Sequence, residues 1–87
     1  MASVKWSASA LKDLERIDYA IAKRIVAKVV WLEENFADIV PEKLHRDLKD
    51  VYKLRVGDYR AVYSARDELI VIEAVGHRRD IYRELGR

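Results

Sequence analysis

The sequence predicts an α+β domain with the element order β-α-α-β-β-β, in which a helical hairpin packs on one face of a small antiparallel sheet. Apolar residues recur at three- and four-residue steps through positions 21–36, which is the period of a helix. From position 51 to 75 the period changes to two, which is the period of a strand. The 87 residues suffice for one domain, spanning 1–87.

The composition excludes several classes of site and location. The chain has no cysteine, so neither a disulfide nor a thiolate metal site is expected. Its two histidines lie far apart in the sequence, which disfavours structural zinc, and we expect no cofactor. No apolar run exceeds four residues, so neither a membrane-spanning helix nor a signal-peptide core is predicted. These features favour a cytoplasmic protein without a membrane partner.

The first third of the chain contains one strand and two helices. Residues 3–6 predict a short strand, and Ser7 or Ser9 can cap the helix that follows. A turn near Asp18 separates this helix from a second one, which Asn35 ends. The apolar stripe of the second helix predicts core packing, and Val30 and Trp31 widen it. Its members are Ile21, Ile25, Val29, Leu32 and Phe36. A short turn between two helices predicts an antiparallel hairpin.

The rest of the chain is predicted to form a loop followed by strands. Residues 37–50 are polar and include Pro41, so they predict a loop that Leu44 and Leu48 anchor as one helical turn. The alternating segments then predict three strands and two tight turns. The strands are Val51–Val56, Tyr59–Ala65 and Leu69–Val75, the turns are Gly57-Asp58 and Arg66-Asp67, and a short helix begins at about Arg79.

Positive charge concentrates in the second half of the chain. Residues 1–42 carry six Lys or Arg and seven Asp or Glu, whereas residues 43–87 carry eleven and eight. Arginine suits two-point contacts with phosphate better than lysine does. Two interpretations fit this distribution equally well: a solvated basic face and a surface for an anionic partner. The late arginines are residues 55, 60, 66, 78, 79, 83 and 87.

The first hairpin brings cations together. A two-residue turn at Gly57-Asp58 places Arg55 opposite Arg60, with Lys53 on the same face and apolar residues on the other. Like charges opposite each other destabilise a sheet, and such conflicts tend to fall at functional positions. In the alternative interpretation Arg60 faces Glu73 in a structural charge ladder. That register leaves Lys53 and Arg55 without a carboxylate neighbour.

The segment after the last strand adds groups suited to chemistry. Gly76 permits a sharp turn at the end of the strand. His77 follows, and histidine commonly titrates near neutral pH, the range used in acid–base catalysis. Arg78 and Tyr82 come next, and an aromatic ring beside clustered cations is typical of sites that stack a base and hold its phosphates.

Two segments of the chain, together with the spacing between them, resemble the RelE/ParE toxins of type II toxin–antitoxin systems. RelE is the nearer type. The segments are residues 48–60, L-x-x-x-YKLRVGDYR, and residues 75–82, VGHR-x-x-x-Y, preceded by VKWS-x-x-A-x-x-x-L at residues 4–14. The resemblance covers nearly the whole chain and implies the same order of elements. RelE-type members cut mRNA in the ribosomal A site, where the 2′-OH attacks the adjacent phosphate without a metal.

The resemblance implies roles for individual residues. Lys53 and Arg55 match two basic residues on the first hairpin strand, Arg60 opens the next strand, and Arg78 and Tyr82 match an Arg and a Tyr near the end. The three hairpin cations would hold the scissile phosphate, Arg78 would assist the leaving group or a neighbouring phosphate, and Tyr82 would stack on a base.

The proton acceptor of such a reaction is a separate question. RelE can use a Lys where this chain has Arg55, and arginine is a poor base because it stays protonated. Arg55 can instead stabilise negative charge in the transition state. The hypothesis therefore assigns proton transfer to His77, with Lys53, Tyr82 and Glu73 as alternatives.

Two other functions remain open on the sequence. A ParE-like toxin that inhibits gyrase, or one that has lost catalysis, would share the fold without needing all five matched residues. A plain nucleic-acid-binding module is disfavoured because net charge is low, at +2, and the cations are localised. The resemblance also implies a cognate RelB-like antitoxin and the ribosome with its mRNA as partners. Operator DNA would be bound only through the toxin–antitoxin complex.

Overall fold

A mixed five-stranded sheet with helices on both of its faces forms the centre of the protein. A computed structural model describes residues 1–85, so Arg87 of the arginine set lies outside the described residues. The predicted α+β class with a helical hairpin on one face is confirmed. The elements are β1 Ser3–Trp6, α1 Ala8–Glu15, α2 Tyr19–Asn35, a 3₁₀ turn Phe36–Asp38, β2 Glu42–Lys43, β3 Val51–Val56, β4 Tyr59–Arg66, β5 Leu69–His77 and α3 Arg78–Leu85.

The strand order is β1-β5-β4-β3-β2, and one of its four pairings is parallel. Strands β3 to β5 pair antiparallel as expected, and β2 pairs antiparallel with β3. Strand β1, however, lies parallel to β5, with Val4 opposite Ile70. The sheet is therefore mixed, where the sequence predicted an antiparallel one. A parallel pair needs a long crossover, which the α1–α2 hairpin and the strands after it provide. Periodicity within β1 carries no information about the direction of its neighbour.

The two helices of the hairpin begin and end at residues that the sequence marks. The Ser7 hydroxyl accepts a hydrogen bond from Ala10 N at 3.0 Å, which caps α1. Asp18 caps α2 by accepting from Ala20 N at 3.2 Å. Such side-chain caps satisfy N–H groups that have no partner within the helix. The predicted turn near Asp18 and the predicted end of α2 at Asn35 are both confirmed.

The core lies between the helical hairpin and one face of the sheet. Ile25, Val29 and Leu32 are buried on α2, as the stripe predicted. They belong to one cluster with residues of the sheet, namely Leu54, Val56, Ala61, Tyr63, Ile70, Ile72 and Val75. The prediction for Val30 and Trp31 is wrong, because their side chains are 47% and 39% exposed. Both residues fall outside the arc of α2 that faces the sheet.

The loop before β3 contains a short strand where the sequence predicted a helical turn. Glu42 and Lys43 form β2 and pair with Lys53 and Tyr52. Leu44 does anchor the loop, since it is 5% exposed and its N–H donates to Val51 O at 3.0 Å. In place of the helical turn, residues 45–48 form one tight turn, in which Leu48 N donates to His45 O at 3.0 Å. Two residues of backbone pairing leave no periodic trace in a sequence.

The register between β4 and β5 also differs from the prediction. The turn comes one residue later, at Asp67-Glu68, and Asp67 adopts a φ of 56°. A bulge then leaves Glu73 without a direct partner, since Val62 faces Ala74 and Tyr63 faces Ile72. The alternative interpretation, in which Arg60 faces Glu73, is therefore wrong, because Arg60 lies opposite Gly76. Glu73 instead accepts a hydrogen bond from Ser64 Oγ at 2.9 Å.

Candidate active site

The β3–β4 hairpin presents cations on the sheet face that points away from the helical hairpin. Its register is the predicted one, with Arg55 opposite Arg60 and Lys53 opposite Val62. Gly57 opens the turn with a φ of 60°, a conformation that glycine adopts without strain. Neighbouring residues such as Leu54 and Ala61 point into the core. The alternation therefore directs Lys53, Arg55 and Arg60 to the opposite face.

Arg60 is the buried cation of this face, with 6% of its surface exposed. Its Nη1 donates to the carbonyl oxygens of Gly57 and Tyr59, at 2.9 Å each. Among residues 1–83, whose side chains the structure describes, no carboxylate lies within 4.0 Å of its guanidinium, and Nε is buried without a hydrogen-bond partner. A buried charge without a counter-charge is costly. Such an arginine is suited to an anion that arrives from outside.

Glu42 is the carboxylate that the sequence analysis did not place at this site. It joins Arg55 in a two-point ion pair, with Nε–Oε1 at 3.0 Å and Nη2–Oε2 at 2.6 Å. Lys53 Nζ lies 3.6 Å from Oε2. The expectation that Lys53 and Arg55 have no carboxylate neighbour is therefore wrong. The pairing of β2 with β3 brings Glu42 to the cationic face. In the sequence, its role is marked only by its position after Pro41 in a long polar loop.

The ion pair changes the protonation of Glu42. The hydrogen bonds from Arg55 are the main cause that lowers the pKa of its carboxyl group. Burial opposes this shift, and the charges of Lys53 and Arg55 add to it, so that the pKa is lowered overall. Glu42 is accordingly a carboxylate over the whole neutral range. It is half-exposed, so solvent and a ligand can both reach it.

Helix α3 carries Tyr82 to Lys53. The Lys53 ammonium donates to Tyr82 Oη at 2.6 Å, and Nζ lies 5.2 Å from the centre of the ring. The Lys53 side chain is only 14% exposed, because it lies between Tyr82 and Glu42. One residue before Tyr82, Ile81 packs against Gly76. A Cβ atom added at Gly76 would lie 3.5 Å from Ile81 Cδ1. This contact places α3 on the cationic face.

Arg78 lies at the turn end of the same face. Its N–H donates to Asp58 O at 2.8 Å, and its Nε lies 4.0 Å from Asp58 Oδ1. The side chain is 60% exposed. Asp58 is the second residue of the turn whose first residue, Gly57, accepts from Arg60. Arg60 and Arg78 therefore each bond to a residue of the hairpin turn, and α3 begins beside it.

The structure does not bring His77 to the other predicted site residues. His77 lies opposite Tyr59, and the two rings meet edge to face with centres 5.4 Å apart. Tyr59 packs on the core side of the sheet, so His77 shares the face of the helical hairpin. Its Nδ1 accepts from Arg79 N at 3.1 Å. Strand β4 separates it from Lys53 and Arg55 on β3.

A separate cleft of about 480 Å³ lies beside the end of β5, next to His77. Its lining includes Asp13, Asp18 and Asp80, which would repel a phosphate. The cationic face is therefore the better candidate for an anionic substrate. Among the described side chains, those of residues 1–83, no group of three or more His, Cys, Asp or Glu is placed to hold a metal ion. No helix in this part of the chain is long and apolar enough to cross a membrane.

Comparison with known proteins relates this geometry to toxins. The family model described as the ParE toxin of the type II toxin–antitoxin system, parDE, matches residues 4–82. Toxin RelG of Mycobacterium tuberculosis is 36% identical over 89 residues, which cover 93% of this chain and 95% of the relative.

Solved structures agree with this relationship. The isolated RelE toxin of Escherichia coli superimposes with a TM-score of 0.74 at 26% identity, over 99% of this chain and 96% of that one. The RelB–RelE antitoxin–toxin complex of Methanococcus jannaschii gives a TM-score of 0.73 at 25% identity, over 91% and 95%. The fold, the relatives and the family model together show that the chain belongs to the ParE toxin family, within the RelE/ParE superfamily of type II toxin–antitoxin toxins.

Proposed function

We propose that this toxin is a RelE-like endoribonuclease that cuts mRNA on the ribosome and thereby inhibits translation. One observation carries the proposal: Arg60 is buried on the same face as Lys53 and Arg55, and no carboxylate among the side chains of residues 1–83 pairs with it. A gyrase-binding surface needs no buried, unpaired guanidinium, whereas a phosphate diester supplies the anion that this group lacks.

The reaction we propose is attack of a ribose 2′-OH on the adjacent phosphate. The 2′-O–P bond forms, the bond to the leaving 5′ oxygen breaks, and a 2′,3′-cyclic phosphate results. Lys53, Arg55 and Arg60 hold the phosphate and stabilise the charge of its transition state. Arg78 stabilises the leaving oxygen, which takes a proton from solvent. Tyr82 stacks on a neighbouring base, where its contact with Lys53 holds the ring.

We propose that Glu42, and not His77, accepts the proton of the 2′-OH. Glu42 is ionised and lies among the cations that would hold the phosphate, whereas His77 lies on the other face of the sheet. Its lowered pKa makes it a weak base in the free protein. A phosphate that takes over the hydrogen bonds of Arg55 would remove the main cause of that shift. The basicity of Glu42 would then rise when substrate is bound.

The proposed partners follow from the family. Because the M. jannaschii neighbour is solved as a RelB–RelE complex, we propose a RelB-like antitoxin for this toxin as well. The antitoxin would cover the cationic face and block it, and operator DNA would bind only the toxin–antitoxin complex. The site of action would be the cytoplasm, where ribosomes are.

The second candidate function is ParE-like inhibition of gyrase, which the match to the ParE family model favours. Incubation of the toxin with mRNA-programmed ribosomes, followed by mapping of the RNA ends, distinguishes the two. Cuts inside the A-site codon that disappear in an Arg60→Ala, Arg78→Ala double variant support the nuclease. Intact mRNA together with inhibited DNA supercoiling by gyrase would establish the second function instead.

A further inference from the structure

A groove follows the outer edge of β3, between this strand and α2. Strand β2 pairs only with Tyr52 and Lys53, so the part of this edge nearer the turn is open. Two adjoining cavities of about 250 and 450 Å³ occupy the space, and Lys28, Trp31 and Arg55 line both. We call this surface the edge groove and define it by Arg24, Lys28, Trp31, Arg55 and Gly57.

The helical side of the edge groove is cationic. Arg24 and Lys28 lie one turn apart on α2, and neither has a carboxylate within 4.0 Å among the side chains that the structure describes, those of residues 1–83. Arg24 Nη2 lies 3.7 Å from the position that a Cβ would take at Gly57. Its guanidinium therefore rests against the hairpin turn. Two cations that no carboxylate neutralises make this wall attractive to phosphate groups.

An exposed indole stands between these cations and the candidate active site. Trp31 is 39% exposed, and Lys28 Nζ lies 4.0 Å from the centre of its ring. This cation–π contact holds the ring in place. An aromatic ring beside basic side chains is the usual arrangement by which proteins bind single-stranded nucleic acid, with a base on the ring and phosphates on the cations.

We propose that the edge groove binds the single-stranded RNA that flanks the cleaved phosphate. Arg55 contacts the scissile region on one side and lines the edge groove on the other, so a strand held at Arg55 can continue towards Trp31. A base would stack on Trp31 while Arg24 and Lys28 contact adjacent phosphates. This inference rests on the proposed ribonuclease function and adds to it a second RNA subsite. The competing occupant is an acidic protein segment. The exposed indole fits such a segment less well than it fits a stacked base.

The test measures binding without cleavage. Fluorescence anisotropy at low salt compares the affinities of a 2′-O-methyl RNA hexanucleotide and dinucleotide, neither of which can be cut. The wild-type toxin should bind the hexanucleotide more tightly. Trp31→Ala should weaken hexanucleotide binding roughly fivefold to a hundredfold, the range for loss of one stacked base, and leave dinucleotide binding unchanged. An Arg24→Ala, Lys28→Ala double variant should also reduce the salt dependence, by about 0.7 in slope for each phosphate that is no longer neutralised.

Matched controls come from the same helix. Val30→Ala removes an exposed apolar side chain next to Trp31, and Lys23→Ala removes an exposed cation next to Arg24. Both should bind the hexanucleotide as the wild type does, with circular dichroism verifying that every variant is folded.

Two outcomes overturn the inference. One is a wild type that binds both RNAs equally, and the other is edge-groove variants that match their controls. Variants that lose antitoxin binding but keep hexanucleotide binding would assign the edge groove to a protein partner. Cleavage on ribosomes is measured separately, so an inactive toxin that still binds RNA through the edge groove contradicts only the proposed function.

Discussion

Glu42 and Arg55 form a two-point ion pair between β2 and β3, with contacts of 3.0 and 2.6 Å. The pair joins a carboxylate from an irregular loop to a cation on a regular strand. It neutralises part of the cationic face in the free toxin. A phosphate that binds there must compete with Glu42 for Arg55, and this competition links substrate binding to the basicity of Glu42.

The first prediction concerns proton transfer by Glu42. Glu42→Gln should lower single-turnover cleavage of ribosome-bound mRNA by roughly 10²- to 10⁴-fold, because the amide cannot accept the proton of the 2′-OH. Glu73→Gln is the matched control, since Glu73 is an exposed carboxylate that accepts from Ser64 Oγ and forms no ion pair with Lys53, Arg55 or Arg60. Faster cleavage by Glu42→Gln would show that the carboxylate only obstructs the phosphate.

The second prediction separates the function of Arg60 from its effect on stability. Arg60→Met replaces a buried cation, which pairs with no carboxylate among the described side chains, by an apolar side chain that fills the space of the arginine's aliphatic stem. Cleavage should fall by at least about tenfold, the effect of losing one charge-assisted hydrogen bond to the phosphate. The free energy of unfolding in urea should stay the same or rise, because no buried charge remains. Arg66→Met, at the exposed end of β4, should change neither quantity. A large loss of stability in Arg60→Met would mean that Arg60 is a structural residue.

The third prediction concerns His77. Because His77 lies on the helical face beside Tyr59, His77→Ala should keep cleavage within about threefold of the wild type, far from the loss of 10²-fold or more expected for a general base. Its small effect would come from the missing ring beside Tyr59 and the missing acceptor for Arg79 N. Single-turnover rates measured beside those of Glu42→Gln decide between the two bases. A loss of 10²-fold in His77→Ala alone would return the proton-transfer role to histidine.

The fourth prediction concerns stability in alkali. Burial, with smaller contributions from Tyr52 and Glu42, raises the pKa of Tyr63 from 10.0 to about 12. The unfolded chain therefore loses this proton at a lower pH than the folded protein does, and the contribution of Tyr63 to stability, present below pH 10.0, is lost as pH rises towards 12.

Tyr63→Phe should remove this part of the alkaline loss, on the order of 2 kcal/mol over that interval. Urea unfolding at about pH 9 and about pH 11.5, on either side of the ordinary tyrosine pKa, measures the difference between wild type and variant. Tyr19→Phe changes an exposed ring and should follow the wild type. Parallel curves for Tyr63→Phe and the wild type would contradict the prediction.

Much of the fold could be predicted because its signals are local. The caps at Ser7 and Asp18 lie within three residues of the groups that they bind. The β3–β4 register follows from the turn at Gly57 and from the alternation of apolar and polar residues along the two strands. The position of Arg55 opposite Arg60 could therefore be predicted.

The family also became visible in the sequence because its functional side chains lie in two short segments. The family's functional positions are matched by Lys53, Arg55 and Arg60 in the first segment and by Arg78 and Tyr82 in the second. What these segments do together depends on α3, which brings Tyr82 within hydrogen-bond distance of Lys53 from 29 residues away.

The α+β class, the hairpin register and the segments that carry charge could all be established from the order of residues along the chain. Other features of the site exist only in the folded protein. Glu42 meets Arg55, a bulge displaces Glu73 from Arg60, His77 faces the helices, and Trp31 lies beside Arg55. The difference arises from the range of the forces involved. Turn and cap preferences act over a few residues, whereas strand neighbours, bulges and helix rotation are set by packing the whole chain around one core.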